Sequence, residues 1–314
     1  MIRISLLAIL AVVVGCESTP KSREAASQPA HTAPPTTASA VINEASASAT
    51  ALESASAAPT PATSTVASLA TESTAKATPD VRMPTDWEAD LSWGGTARVK
   101  HAIETKQAVV EQLFAKAGVP FPAVDLLFRI FKLERQFEVW AGDGKSEMKL
   151  IGTWGICAAS GQLGPKRNEG DYQVPEGFYK VGYYYPSSSY YLAAEVDYPN
   201  ASDKVRGGPK PGGEIMIHGN CVSVGCVAMT DERIEEIYVI GWSTGQKGRP
   251  TYIHIFPSRD LESLLSNAEY ADMHEFWREL RPGFDVFEQT HRLPTISTEK
   301  DGRYVIKPAK GVAP

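Results

Sequence analysis

The spacing of apolar and polar positions changes character several times along this chain. Residues 4–14 are apolar except for Ser5 and follow Arg3, a run well short of the about 20 apolar residues that span a bilayer core. That pattern predicts a cleaved secretory leader over 1–15. Over 16–83 periodicity is lost and Ala, Ser, Thr and Pro dominate, a composition that buries too little apolar surface to offset the entropy of ordering and reads as a disordered tether. Val99, Ile103, Val110, Leu113 and Phe114 then recur at the spacing of one helix face, which Gly118 and Pro120 stop. Next the period falls to two. Strands are expected at 126–131, 136–140, 148–156 after a turn at Asp143-Gly144, 177–185, 190–196, 214–218 and 252–256, with Gly- and Pro-rich loops between them. A helix is expected from Asp231, with Thr230 as N-cap, Asp231 and Glu232 in its first turn, and Ile234, Ile237 and Tyr238 on its buried face. The whole predicts a mainly β domain with peripheral helices (α+β) over 84–290. A mostly exposed tail, 291–314, follows, in which Leu293-Pro294 and Tyr304-Val305-Ile306 are the segments suited to docking.

Composition sharpens this picture in two respects. All 6 Trp, 12 Tyr and 10 Phe lie at or beyond Trp87, so the core belongs to roughly the last 228 residues, enough to fold without disulfide staples. A net charge of −6 and the lack of any Lys/Arg run argue against nucleic acid as a partner.

Candidate chemistry concentrates between Ile217 and Asp231. Here Cys226 precedes the expected helix start and His218 lies eight positions upstream. A thiol ahead of a helix N-terminus is expected to favour thiolate, the attacking form, with His218 taking and returning the proton. Gly225 offers no side chain to block a substrate, and the amides of Gly225 and Cys226 are candidate donors to an oxyanion. Zinc held by His218, Cys221 and Cys226 is the competing reading, but three ligands without a further Cys or His pair make it the weaker one, and no metal is expected. Cys226 rather than Cys221 is expected to be the nucleophile, because only Cys226 sits close to the helix start. Cys157 and Cys221 are then left, and a bridge between them stands beside two buried free thiols as open alternatives.

Two resemblances add to this reading. Val13-Val14-Gly15-Cys16 resembles the lipobox of bacterial lipoproteins, which implies lipidation at Cys16; Glu17, in place of the Asp that marks inner-membrane retention, implies a periplasmic protein anchored in the outer membrane. The segment Ile217-His218-Gly219, with Ser223-Val224-Gly225-Cys226, resembles the active-site signature of the L,D-transpeptidase (YkuD-type) family. Ser160-Gly161-Gln162-Leu163-Gly164-Pro165-Lys166, the run from Gly170 to Tyr179, Ser188 to Leu192 and Tyr198-Pro199-Asn200 resemble its YafK-like subfamily, over about 126–287. The resemblance implies a YkuD-like β-rich catalytic domain, no cofactor, and peptidoglycan stem peptides as substrate. It implies Cys226 as nucleophile, His218 as base, and Ser223 and Gly225 as shapers of the loop, with Tyr190 and Asn220 as candidates for the substrate cleft. The widespread family pattern has a His before the Gly and an Arg two places after the Cys; here Val224 and Ala228 stand there, so a substrate carboxylate must be held elsewhere. Transfer of the acyl group to an amine, its hydrolysis with possible release of a peptidoglycan-linked lipoprotein, and a non-catalytic tether between membrane and wall are the functions this leaves.

Overall fold

A computed structural model describes residues 95–308, all within one unit, Glu72–Pro314. The leader, Cys16 and the tether lie outside the described residues. The predicted first helix is α1 (Gly95–Ala117), which buries Val99, Ala102, Val110 and Phe114 and ends at Gly118. An antiparallel meander follows, β1 (Asp125–Phe131), β2 (Gln136–Gly142) and β3 (Lys149–Gly155). Then come a two-residue β4 (Ala158–Ala159), the long β5 (Gly177–Ser188), β6 (Tyr191–Val196) and a short α2 (Ala201–Arg206). The site segment contributes β7 (Met216–His218) and β8 (Val227–Ala228), after which come α3 (Asp231–Gly245) and β9 (Thr251–Phe256). The last part holds α4 (Leu261–Ser266), a 3-10 turn (Ala268–Met273), α5 (His274–Thr290) and a hairpin of β10 (Thr295–Thr298) and β11 (Tyr304–Lys307).

Nine strands form one sheet in the order β3-β2-β1-β9-β5-β6-β7-β8-β4, so the architecture is β-rich with helices around it. β5 joins the two halves: Gly177, Phe178, Tyr179 and Lys180 pair with β9, whereas from Val181 onward the strand pairs with β6. β1 is buried on both faces, as its near-continuous apolar run requires. Leu126, Phe128 and Ile130 enter the core shared with α1 and α3. On the other face Phe131, with Phe256 and Phe178, packs against Phe276, Trp277 and Leu280 of α5, each such side chain contributing about 1.5–3 kcal/mol by leaving water. Arg129 lies fully buried on that second face, ringed by Phe131, Phe256, Phe284 and Phe287 and paired with Glu138 and Glu288. The tail is not simply exposed. Tyr304 is buried against Phe178 and accepts a hydrogen bond from Asn200 Nδ2, and Ser202 Oγ donates to the Gly302 carbonyl.

Candidate active site

His218 ends β7, between β6 and β8, opposite Ala193 on one side and Ala228 on the other. Cys226 stands just before β8, two residues ahead of Ala228. Because side chains alternate along a strand, His218 and Cys226 leave the same face of the β7–β8 pair. The seven residues between them form a tight loop. Gly219 is required there: a Cβ would meet Asp231 Oδ1 at 2.6 Å and the Tyr190 carbonyl at 3.1 Å. Gly225 adopts φ +91°, strained for any other residue. Asn220 turns the chain at φ +57° and gives its N–H to Asp231 Oδ1 at 2.7 Å, which fixes the loop to the first turn of α3.

The imidazole of His218 is 1% exposed and oriented by its own neighbour, since Nδ1 lies 2.5 Å from the Gly219 carbonyl oxygen. A carbonyl only accepts, so Nδ1 carries the proton and Nε2 is the bare nitrogen that takes one. Tyr190 covers the ring, centroid to centroid 4.6 Å. Its turn is held by Arg98 of α1, which donates to the Ser188 and Tyr191 carbonyls at 2.8 and 2.9 Å. Tyr190 thus joins the site, whereas Asn220, exposed on the loop, serves it through its backbone.

Ser223 braces the turn before Cys226, accepting the Cys226 N–H at 3.1 Å and donating to the Cys226 carbonyl at 2.6 Å. Two expectations are corrected. The amides of Gly225 and Cys226 do not stand free for an oxyanion, because Gly225 N–H is taken by Ser160 Oγ at 2.5 Å and Cys226 N–H by Ser223 Oγ. Nor does Cys226 sit at a helix start. β8, Met229 and the N-cap Thr230 separate it from α3, and the field of a helix end fades within its first turn. Burial instead pushes the thiol up, with the Glu214 carboxylate acting the same way and Lys166 opposing. Burial likewise pushes His218 down. The resting pair at neutral pH is therefore uncharged thiol and uncharged imidazole.

Cys157 and Cys221 are joined, Cα to Cα 5.4 Å, and Cys226 is the free thiol among the described residues. The bridge takes Cys221 out of both the nucleophile and the zinc readings. It also ties the loop to the residue just before β4, whose Ala159 pairs with Val227 of β8. Sequence reasoning passed over two contributors. Ser160, also at the end of β4, holds Gly225; Glu214, at φ +56°, presents its carbonyl to Cys226 Sγ at 3.7 Å. A polar residue directly after Gly212-Gly213 was the available signal for the second. A cleft of about 560 Å³ opens beside the thiol, lined by Glu214, Ile215, Val224, Gly225, Lys166 and Tyr172 among others.

The YkuD family model, L,D-transpeptidase catalytic domain, matches residues 129–241. The protein named "Putative L,D-transpeptidase YafK" of Escherichia coli strain K12 is 40% identical over 181 residues, 57% of this chain and 72% of the relative. Among solved structures, the helical cell shape determining protein Pgp2 of Campylobacter jejuni is 19% identical with a TM-score of 0.35, over 60% of this chain and 80% of that one. Bd1075 of Bdellovibrio bacteriovorus is 21% identical with a TM-score of 0.31, over 52% and 60%. With the family-model match across its sheet and site segment and 40% identity to the YafK relative, the chain belongs to the L,D-transpeptidase (YkuD) family, on the YafK-like branch.

Proposed function

We propose that the protein transfers acyl groups of peptidoglycan stem peptides through a thioester on Cys226. The observation that carries this reading is the placement of Cys226 and His218 on one face, with Nδ1 of His218 engaged by Gly219 so that Nε2 is the base. His218 Nε2 takes the thiol proton as Sγ attacks the peptide carbonyl carbon. The carbon–nitrogen bond then breaks, and the leaving amine takes that proton from the imidazolium. An acceptor amine next gives its own proton to His218, attacks the thioester, and expels Sγ, which recovers a proton. Because the resting pair is neutral, proton transfer accompanies attack and no preformed thiolate is needed. With the Gly225 and Cys226 amides engaged, the oxyanion requires other donors or a rearrangement of Ser160 and Ser223.

Hydrolysis is the second reading, favoured by the open rim of the site: Val222 and Val224 are 50% and 68% exposed, so water reaches an acyl-enzyme as readily as an amine does. In that case a lipoprotein joined to the stem peptide is the substrate class released. Mass spectrometry of peptidoglycan fragments incubated with the full chain distinguishes the two, since new cross-links support transfer and released monomers support hydrolysis. A wall tether without chemistry produces neither. We further propose a periplasmic location with a lipid anchor at Cys16 in the outer membrane. Cys16→Ser is expected to move the protein from the detergent phase to the aqueous phase, and unchanged partitioning refutes that anchor.

A further inference from the structure

In the proposed reaction the imidazole of His218 must carry a charge in a place that disfavours one. The ring is 1% exposed, and burial pushes its pKa down, with the Gly219 carbonyl on Nδ1 opposing. The charged side chains around the site act elsewhere: Glu214 and Lys166 on the Cys226 thiol, and Asp231 on the Asn220 N–H. What meets the imidazole is an aromatic face. The Tyr190 ring lies 4.6 Å away, centroid to centroid, at an interplanar angle of 32°, nearer to parallel than to edge-on. A cation within about 6 Å of such a face is attracted by the ring quadrupole, most strongly where water is excluded. Neutral imidazole gains less from the same contact, so the contact strengthens as the proton arrives.

Main-chain bonds set the ring there. Tyr190 belongs to the two-residue turn between Ser188 and Tyr191, the paired residues that close the β5–β6 hairpin. One guanidinium nitrogen of Arg98 donates to both of their carbonyls, at 2.8 and 2.9 Å, and Ser188 Oγ accepts the Tyr190 N–H at 2.9 Å. Tyr191, at φ +75°, is secured in turn by its hydroxyl, which donates to Glu235 Oε1 of α3 at 2.7 Å. On the other side the Tyr190 carbonyl crowds Gly219, where a Cβ would meet it at 3.1 Å. The residue whose carbonyl orients Nδ1 and the residue whose ring covers the imidazole are thus packed together. Tyr190 itself is 42% exposed and lies outside the hydrophobic core, so core packing does not call for an aromatic ring at that position.

We infer that Tyr190 is a positioning residue for the base: it fixes the His218 ring and, through its π face, stabilises the imidazolium that forms once the thiol proton has moved to Nε2. The inference rests on the proposed role of His218 as base. Acetylation of Cys226 in the full chain by p-nitrophenyl acetate tests it, read as the burst of nitrophenolate above the Cys226→Ala background. Sγ bonds the ester carbonyl carbon, the carbon–oxygen bond breaks, nitrophenolate leaves, and the imidazolium returns its proton to water. At pH 7 Tyr190→Leu is expected to slow the burst about tenfold, and Tyr190→Phe, which restores the π face, to recover most of the rate. At pH 10 hydroxide takes the thiol proton instead and no imidazolium forms, so wild type and Tyr190→Leu should then agree within about twofold. A ring that only braces the loop would matter equally at both pH values. Because the side chain is exposed, the Leu variant should keep its Tm within about 1 °C. His218→Ala separates the two levels of the argument. Unchanged acetylation in that variant at pH 7 removes the base, and this role of Tyr190 with it; a slowed His218→Ala beside an undiminished Tyr190→Leu overturns the inference about Tyr190 alone. A loss in Tyr190→Leu that persists at pH 10, or an equal loss in Tyr190→Phe, overturns it as well.

Discussion

Replacing Cys157 and Cys221 together by alanine cuts the covalent link between the two ends of the site, and its cost can be worked out. The bridge closes a loop with a sequence separation of 64 residues. In the chain-entropy account a closure of that length restricts the unfolded chain by about 4 kcal/mol at 25 °C. For a domain of about 210 residues this corresponds to a fall in Tm of about 10 °C. Function should suffer as well, because Cys221 belongs to the loop that presents Cys226, and Cys157 lies next to the strand paired with β8. Near-UV circular dichroism of the full chain, wild type against the double variant, each with and without reductant, measures the effect. Reductant should lower the wild-type Tm toward that of the variant and leave the variant unmoved. A Tm within about 2 °C of wild type in the variant refutes the reasoning, as does a non-reduced peptide map in which both thiols are free.

Cys226→Ala should abolish turnover and labelling by a thiol-directed acylating reagent while leaving Tm within about 1 °C, since the side chain is only partly buried. Labelling that survives in this variant removes Cys226 as nucleophile. Because burial raises the Cys226 thiol, its alkylation by iodoacetamide should climb with pH and reach half-maximum above about 8.5, the free-thiol value; a midpoint near 6 would instead reveal a stabilised thiolate. Asp203, buried beneath Tyr179, is pushed up to about 6 chiefly by burial. A carboxyl raised on folding favours the native state most when protonated, so lowering the pH from 7 to 5 should add about 1 kcal/mol through this group, and Asp203→Asn should flatten that rise in urea titrations.

The strands and the two helices beside the site were legible because their periodicity is strong. The expected 126–131 and 136–140 lie within β1 and β2, and Thr230 does cap α3 through the Arg233 N–H. α5 escaped notice because Pro282-Gly283 interrupts a pattern whose apolar positions Phe276, Trp277, Leu280 and Phe287 otherwise fit a helix face. At the site, His218 and Cys226 were readable from local sequence. Their electrostatics were not, since the two-residue β8 between Cys226 and α3 is too short to leave an alternating pattern. Ser160, 65 positions from Gly225, and the bridge across 64 positions depend on β4 lying beside β8, a pairing no local pattern encodes.

The burial that keeps Cys226 protonated bears on the lifetime of the protein as well as on the chemistry proposed for it. Thiols are oxidised through their thiolate, so burial that keeps Sγ protonated slows its conversion to sulfenic acid and beyond. That protection matters because rescue is absent nearby. The neighbouring Cys221 is already committed to Cys157, and no other free thiol among the described residues stands ready to trap a sulfenic acid as a reducible disulfide. A thiolate here, once oxidised to sulfenic acid, would need only a second oxidation to pass beyond reversal, whereas under the proposed mechanism the thiol ionises only as substrate arrives and exposes its oxidisable form for the duration of the chemical step.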